Sequence, residues 1–280
     1  MNIVSSFLDL NLALAKLPKP VGFVPTMGYL HAGHLSLVRA ARAECASVVV
    51  SIFVNPTQFG PSEDLSRYPR DLLRDLELLG VEKVDLVWTP GAEEMYPPGF
   101  QTWVTVEEIT QPLEGSMRPG HFRGVATVVA KLFNAVQPDK AYFGQKDAQQ
   151  AAVIRRMGRD LNFKLEVVVC PTWREADGLA MSSRNVYLNP DERRAATVLY
   201  TALTAAQAAY QAGERQAENL RQIMTQTIQR EPLARLQYVS CADQDTLQEF
   251  QDGLPGQALL SMAVFIGKTR LIDNLVLGGV

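Results

Sequence analysis

The stretch VGFVPTMGYLHAGH, residues 21–34, decides the fold, because an apolar strand-like run gives way to glycines and then to a helical pattern. Val21 to Pro25 is predicted to be a strand. His34 to Cys45 has apolar residues at the three-and-four spacing of a helix. The same alternation recurs along the first two-thirds of the chain, with predicted strands at 47–54, 84–89, 140–144 and 164–170 and predicted helices at 71–79, 125–136 and 147–161.

This alternation predicts an α/β fold, a doubly wound, Rossmann-like parallel sheet with helices on both faces. The pattern changes in the polar loop from Trp173 to Asn189, where we place a domain boundary. We expect a first domain of residues 1–174 and a smaller α+β domain of residues 175–280. In the second domain, a long helix is predicted from 191 to 212 and another to about 229, followed by strands at 236–242, 258–266 and 269–277.

Composition narrows the classes of function. The chain has 280 residues, 47% of them apolar, a net charge of −3 and a sequence pI of about 5.7. Nucleic-acid binding is not expected, because no long basic run is present. The apolar N-terminal stretch carries Asp9 and Lys16 and is too short to span a bilayer, so we expect no membrane association and a cytoplasmic protein. The three cysteines are far apart, which predicts buried reduced thiols.

Two of the three histidines, His31 and His34, lie where the first strand leads into the first helix. Gly28 and Gly33 allow tight turns there, and the N–H groups at a helix start form an anion site. The pair is therefore predicted to donate to phosphate oxygens. One histidine could instead pack while the other is solvated, and a zinc site is the weaker alternative because no third ligand stands at a suitable spacing.

Further polar groups follow other predicted strands. Asn55 and Gln58 come after the second strand, where amides suit the hydroxyls and carboxylate of a small polar acid. Lys146 follows Gly144 at another strand end, a position that favours a phosphate contact over an ordinary solvated lysine. The boundary loop combines Ser182, Ser183 and Arg184. A Pro-Gly turn between Arg118 and His121 either binds phosphate or braces its loop.

The segment HAGH (31–34) resembles the HxGH signature of a nucleotidyltransferase superfamily that includes class I aminoacyl-tRNA synthetases. FVNPTQF (53–59), YFGQKDAQQ (142–150), MSSR (181–184) and the closing TRLIDN (269–274) occur in the same order as in pantothenate synthetases. Across essentially the whole chain, the sequence resembles that family.

The resemblance implies an ATP-dependent ligase that condenses pantoate with β-alanine to give pantothenate, AMP and diphosphate through a pantoyl-adenylate. It also implies a homodimer that needs Mg²⁺ and a first domain that binds the nucleotide and pantoate. Because the acyl-adenylate is prone to hydrolysis, we expect the C-terminal domain to act as a lid that keeps water out. Catalytic roles fall on His34, His31 and Lys146. The implied ATP contacts are Met27, Gly28, Tyr29, Leu30, His31, Ala32, Gly33, His34, Gly144, Gln145, Lys146, Asp147, Trp173, Met181, Ser182, Ser183 and Arg184.

Pantoate contacts are assigned to Gln58, Gln150, Asn55 and Arg118, with β-alanine arriving near Gln58. In this family the metal is coordinated largely by the ATP phosphates, and Asp75 is the candidate protein ligand. An aliphatic residue is commoner in the family at position 173, so the indole of Trp173 puts that adenine contact in question.

Two other functions fit parts of the sequence. One is an enzyme that adenylates a phosphorylated substrate and stops after diphosphate release, although neutral Gln58 and Gln150 favour a substrate with hydroxyls and one carboxylate. The other is a non-catalytic nucleotide-binding regulator on the same fold. A tRNA synthetase is disfavoured by the acidic pI and the missing anticodon module.

Overall fold

The computed structural model describes residues 1–61 and 63–278. The chain divides into two compact units, Met1–Gly144 with Gln149–Pro171, and Gln145–Ala148 with Thr172–Val280. From the sequence, residues 145–148 are grouped with the first domain. In the structure they pack with the C-terminal unit, because side chains of its last strand hold them.

The N-terminal unit is built on a six-stranded parallel sheet with the order β1-β4-β3-β2-β5-β6, which confirms the predicted Rossmann-like class. Val48, Val49 and Val50 in the sheet are fully buried, as expected where helices cover both faces. The first strand is only three residues long, and no alternating or continuous apolar pattern marks it. The strands are β1 Asn2–Val4, β2 Val21–Thr26, β3 Ser47–Ile52, β4 Leu86–Trp88, β5 Lys140–Gly144 and β6 Glu166–Cys170.

Helices connect these strands and supply the two outer layers. Leu35 and Val38 of the second helix and the apolar residues of the sixth pack into the core. The helices are α1 Phe7–Leu14, α2 Ala32–Glu44, α3 Leu72–Val81, α4 Ala92–Met95, α5 Glu114–Met117, α6 His121–Val136 and α7 Ala148–Asp160, with 3-10 turns at Pro56–Gln58, Glu108–Thr110 and Gln145–Asp147.

Strand order determines where a ligand site is expected. β2 lies between β3 and β5, so consecutive connections leave it in opposite directions along the sheet. Phe23 pairs with Ala141, and Thr26 and Gly144 end their strands equally far beyond that pair. Open α/β sheets bind ligands beyond the carboxyl ends of the strands at such a switch point. The residues after Thr26 therefore stand at the expected site.

The C-terminal unit packs two long helices against an antiparallel sheet with the order β7-β8-β9. Leu199, Leu220 and Met262 are among its fully buried core residues. The elements are α8 Pro190–Ala195, α9 Val198–Gln211, α10 Ala217–Gln229, β7 Ala234–Ala242, β8 Ala258–Ile266 and β9 Thr269–Leu277, with a 3-10 turn at Ser183–Tyr187.

The single helix predicted for 191–212 is instead two helices that meet at Ala196 and Thr197. There the N–H of Thr197 donates to Arg194 and that of Leu199 to Ala196, so i to i+3 bonds tighten the chain at the junction. All three cysteines are buried and unpaired with one another, as predicted. Within residues 1–61 and 63–278, no helix has the length and apolar character needed to cross a bilayer.

Candidate active site

The turn after β2 is held from below by a buried carboxylate. The backbone N–H groups of Tyr29 and Leu30 donate to the two oxygens of Asp75, at 2.8 and 2.7 Å. Gly28 and Tyr29 both have positive φ, +81° and +51°. A Cβ at position 28 would lie 3.1 Å from Asp75 Oδ2, so the close approach of carboxylate and turn favours glycine. Asp75 thereby fixes the loop that leads to the histidines.

Asp75 is 1% exposed, and burial raises the pKa of its carboxyl while the two backbone N–H groups oppose that shift. Both oxygens already accept hydrogen bonds from the chain. Among the residues that the structure describes, no group of three His, Cys, Asp or Glu side chains is placed to hold a metal ion. The metal-ligand role of Asp75 stays a prediction, and its visible role is to position the turn.

His31 and His34 cap the first turn of α2 reciprocally. The N–H of Gly33 donates to His31 Nδ1 at 3.2 Å, and the N–H of His31 donates to His34 Nδ1 at 3.3 Å. Because a backbone N–H can only donate, both Nδ1 atoms act as acceptors, and in each neutral ring Nε2 carries the proton. The ring centroids are 4.0 Å apart. The helix start therefore carries two neighbouring imidazole N–H groups, while the N–H groups of Gly33 and His34 already donate to His31.

Gln58 lies beside this turn, with its Nε2 atom 3.2 Å from Met27 Sδ. Asn55 Nδ2 donates to Gln58 Oε1 at 3.1 Å and to the carbonyl of Gly124 at 3.2 Å. Asn55 Oδ1 accepts from the hydroxyl of Tyr96 at 2.9 Å. A Cβ on Gly124 would lie 2.3 Å from the Thr57 carbonyl, so α6 packs closely against the Gln58 turn. The side-chain amide of Gln58 is thus held at its Oε1 atom.

The main chain of Gln58 is held by the Pro-Gly turn. His121 Nδ1 lies 2.9 Å from the Gln58 carbonyl, which can only accept, so Nδ1 carries the proton. Nε2 then accepts from Arg118 Nη1 at 3.1 Å. Arg118 also forms a two-point ion pair with Glu63, at 2.7 and 2.6 Å. Burial, helped by the charge of Arg118, lowers the pKa of His121 to about 4, so the ring is neutral near pH 7.

These residues line a cavity of about 520 Å³ within the N-terminal unit. Its wall combines the Gln58 turn and the Arg118 turn with the indole of Trp103, over which the guanidinium of Arg123 lies at 4.3 Å. Amide, guanidinium and aromatic groups together suit a small polar acid. The cavity adjoins the residue to which pantoate is assigned.

Adjacent glutamines on α7 have different environments. Gln149 is buried, accepts from the N–H of Glu114 at 2.9 Å, and donates to the carbonyls of Ile109 and Pro112 at 3.0 and 2.9 Å. Gln150, the predicted substrate contact, is half-buried in the first turn of the same helix. Gln149 therefore secures the loop before α6, and the substrate contact of Gln150 stays a prediction.

In the C-terminal unit, Lys146 sits in the 3-10 turn Gln145–Asp147, with Nζ 3.5 Å from Asp147 Oδ1. Asn274 of β9 donates to the carbonyls of Gln145 and Lys146, at 2.9 and 2.8 Å. Lys146 therefore belongs to the unit that also contains residues 181–184, the serine loop, although Gly144, two residues before it, ends β5 of the parallel sheet.

The serine loop begins with a capped 3-10 turn. Ser182 Oγ accepts from the N–H of Arg184 at 3.3 Å, and Ser183 is buried. The carbonyl of Trp173 accepts from the N–H of Met181 at 3.0 Å, and the indole is 46% exposed. The loop and residue 173 are thus joined through their main chains, and their common contact with ATP stays a prediction.

The comparisons with known proteins agree over the full length. The family model for pantoate-beta-alanine ligase matches residues 2–276. The chain belongs to the pantoate-beta-alanine ligase family.

Relatives of this ligase family include the pantothenate synthetase of Roseiflexus sp. (strain RS-1), 63% identical over 277 residues that cover 99% of each chain. The crystal structure of pantothenate synthetase from Thermus thermophilus superposes with a TM-score of 0.93 at 52% identity, covering 98% of this chain and 99% of that one. The Francisella tularensis pantoate-beta-alanine ligase, solved with beta-gamma ATP and beta-alanine, has a TM-score of 0.81 at 36% identity, covering 99% and 97%. The chain is accordingly a ligase.

Within the ligase's N-terminal unit, the structure brings together the histidine turn and Gln58, and it adds residues that the motifs do not reveal. Asp75 braces the turn, Tyr96 braces Asn55, and His121 braces Gln58. In the C-terminal unit the addition is Asn274. The sequence signal for Asn274 is the polar pair Asp273-Asn274, which lies between Ile272 and Leu275 and ends the TRLIDN motif.

Proposed function

We propose that this chain condenses pantoate with β-alanine, converting ATP to AMP and diphosphate through a pantoyl-adenylate. Family membership supports the overall reaction, and the Francisella tularensis relative was solved with beta-gamma ATP and beta-alanine. The geometric observation that carries the proposal is the pair His31 and His34, whose tautomers put the ring proton on Nε2 at a helix N-terminus beside Gln58.

In the first step, a carboxylate oxygen of pantoate attacks the α-phosphorus of ATP, and the bond to the bridging oxygen breaks to release diphosphate. In the second step, the neutral amine of β-alanine attacks the acyl carbon, AMP leaves with the electrons of the acyl C–O bond, and the nitrogen loses a proton to form the amide. The protein supplies little covalent chemistry in such a reaction. Its contribution is to position the reactants and to stabilise negative charge on the phosphates.

Phosphate contacts are assigned to Met27–His34 and Gly144 in the N-terminal unit, and to Gln145–Asp147 and Met181–Arg184 in the C-terminal unit. Within these segments His31, His34, Lys146, Ser182, Ser183 and Arg184 carry the donors. His34 is the candidate proton donor, and Trp173 contributes a main-chain contact to adenine.

Gln58 and Gln150 hold pantoate through neutral amides, which suits a substrate with hydroxyls and one carboxylate. We assign Asn55 and Arg118 an indirect part in binding that substrate, because most of their polar atoms already hold the Gln58 turn and its partners. The cavity beside Gln58 is wide enough for a small acid and has polar walls.

Mg²⁺ is assigned to the nucleotide rather than to a protein cage. It usually binds through one or two carboxylates together with substrate phosphates. The described residues offer no cluster of three ligands, and both oxygens of Asp75 accept backbone hydrogen bonds. These features fit a metal that arrives with ATP, where it would neutralise phosphate charge.

The homodimer follows from the family resemblance, the cytoplasmic location from the composition, and the lid function of residues 175–280 from the need to keep water away from the acyl-adenylate. Sedimentation equilibrium tests the dimer, with a mass of 30.9 kDa for one chain as the contrary outcome. Crystals with and without ATP test the lid, since unchanged domain angles would contradict closure.

One assay tests the reaction itself. Purified protein is mixed with ATP, Mg²⁺, pantoate and β-alanine, and diphosphate and AMP are followed separately. Diphosphate must form only with pantoate, and AMP must be released only when β-alanine is also present. Diphosphate from a phosphorylated substrate would favour the rival nucleotidyltransferase, and binding of ATP without turnover would favour a regulator.

A further inference from the structure

The lysine turn and the last strand are joined by one buried amide. Asn274 is 4% exposed, and its Nδ2 donates to two successive carbonyls, Gln145 at 2.9 Å and Lys146 at 2.8 Å. Its Oδ1 accepts from Gln145 Nε2 at 3.0 Å. Bonds to these carbonyls fix the peptide groups that flank Lys146, and with them the direction of its Cα–Cβ bond.

Asn274 is itself held by a buried ion pair. Its N–H donates to Asp273 Oδ1 at 2.8 Å. Arg174 binds Asp273 at two points, 2.6 and 2.9 Å, and also donates to the Asn274 carbonyl at 3.2 Å. The guanidinium of Arg174 lies 4.2 Å from the ring centroid of Tyr200. Backbone and side chain of Asn274 are therefore both restrained, so the amide cannot turn away without breaking this network.

The burial of two successive polar side chains in one strand is energetically unfavourable, which suggests that they serve a purpose. Successive side chains of β9 point to opposite faces, yet Asp273 and Asn274 are both buried, at 2% and 4% exposure. Burying a charge and an amide is unfavourable unless each is fully bonded, and apolar residues would fill a sheet more cheaply. The bonds of Asn274 converge on the turn that carries the assigned phosphate lysine.

We propose that Asn274 is a positioning residue for Lys146, fixing the backbone on both sides of the lysine so that its ammonium is aimed at the ATP phosphates, with the Arg174–Asp273 pair holding Asn274 in place. The proposal rests on the proposed function. In this proposal the closing TRLIDN motif contributes to the adenylation step. The motif lies far along the chain from every other motif, so the sequence alone does not show this role.

The test is a double-mutant cycle read in the first half-reaction. Diphosphate release with ATP, Mg²⁺ and pantoate is measured for wild type, Asn274→Ala, Lys146→Ala and the double variant, together with the KM for pantoate and the unfolding temperature. Misplacement of a positioned group by about 1 Å can cost on the order of 10²-fold in rate, and that loss in kcat is expected for Asn274→Ala. The KM for pantoate should stay near the wild-type value.

If Asn274 acts through Lys146, the double variant loses no more than roughly threefold beyond Lys146→Ala, within the scatter of independent changes. Losses that multiply in the double variant, or a lower unfolding temperature with full turnover, overturn the proposal. Asn274→Ser keeps one donor and gives the same comparison at a smaller loss should the alanine variant not fold.

Ser261→Ala is the matched control, because Ser261 pairs with Asn274 across the β8–β9 ladder and its hydroxyl has no hydrogen-bond partner among the residues that the structure describes. It perturbs the same sheet without touching the lysine turn, so its turnover should equal that of wild type. If wild type itself releases no diphosphate with pantoate, the proposed function fails. If wild type is active and the cycle is multiplicative, only the role of Asn274 fails.

Discussion

Asn55 donates from Nδ2 to Oε1 of Gln58, and this bond determines which end of the Gln58 amide is presented to a ligand. The orientation of Asn55 is itself determined, since its Oδ1 accepts from the Tyr96 hydroxyl and from the N–H and hydroxyl of Thr57. Gln58 therefore presents Nε2, a donor. A donor at this position suits a carboxylate or hydroxyl oxygen of the substrate.

Replacing Asn55 tests this relay. Asn55 is 1% exposed, so Asn55→Ala leaves buried partners unsatisfied and should cost about 1–3 kcal/mol of unfolding free energy, measured in urea. The freed Gln58 amide can turn, and the KM for pantoate should rise more than kcat falls. Tyr96→Phe removes one of several donors to Asn55 and is the milder control, with an unchanged KM. An unaltered KM in Asn55→Ala would disprove the relay.

Asp75 provides a second test, because bracing and metal binding predict different defects. In Asp75→Asn an amide NH₂ meets a backbone N–H donor from Tyr29 or Leu30, which should cost about 1–3 kcal/mol of unfolding free energy and slow diphosphate release. Asp71→Asn is the control, since asparagine caps α3 as well as aspartate does. Unchanged stability combined with a raised Mg²⁺ requirement would instead assign Asp75 to the metal.

The sheet and the histidine turn were predictable because each depends on local pattern. Residues 21–34 show the strand-to-helix change directly, and the strands at 140–144 and 258–266 match those observed. The bracing residues depend on partners distant in sequence. Asp75 meets Tyr29 only after the chain has crossed β3, and nothing local to either residue encodes that contact.

The grouping of residues 145–148 with the C-terminal unit could not be predicted from the sequence for the same reason. A lysine just after a strand looks like part of the parallel sheet, and the competing contact comes from Asn274, near the other end of the chain. The helical pattern also does not predict the break at Ala196, because alanine and arginine favour helix on both sides of it. Tertiary contacts decided what local propensity left open.

The separate roles of the two ring nitrogens of His34 can be tested by substitution. In His34→Asn the side-chain oxygen replaces Nδ1 as the acceptor of the His31 N–H, so folding should be retained while the Nε2 donor is lost. Single-turnover diphosphate release should fall roughly 10²–10³-fold, the usual loss for a donor aimed at developing charge. His34→Gln restores an N–H donor near the Nε2 position. Recovery of rate in His34→Gln indicates charge stabilisation, and equal loss in both variants indicates proton transfer.

Stability between pH 7 and pH 5 should depend on His121. Its pKa is lowered to about 4 in the folded protein, against about 6.5 for a free histidine, so the unfolded chain binds more protons in this range. The stabilising contribution is complete above pH 6.5 and declines as the pH falls towards 4, with a loss of about 2 kcal/mol by pH 5. Protonation of Nε2 would also turn the bond from Arg118 into a repulsion.

The measurement is urea unfolding at both pH values for wild type and His121→Asn, whose amide can still donate to the Gln58 carbonyl. The variant lacks the titrating ring, so its stability should fall about 2 kcal/mol less than that of wild type over this range. The rest of the chain is the same in both proteins, so its contribution cancels in the difference. A pH dependence that survives the substitution would mean that the neutral ring of His121 does not secure the Gln58 turn.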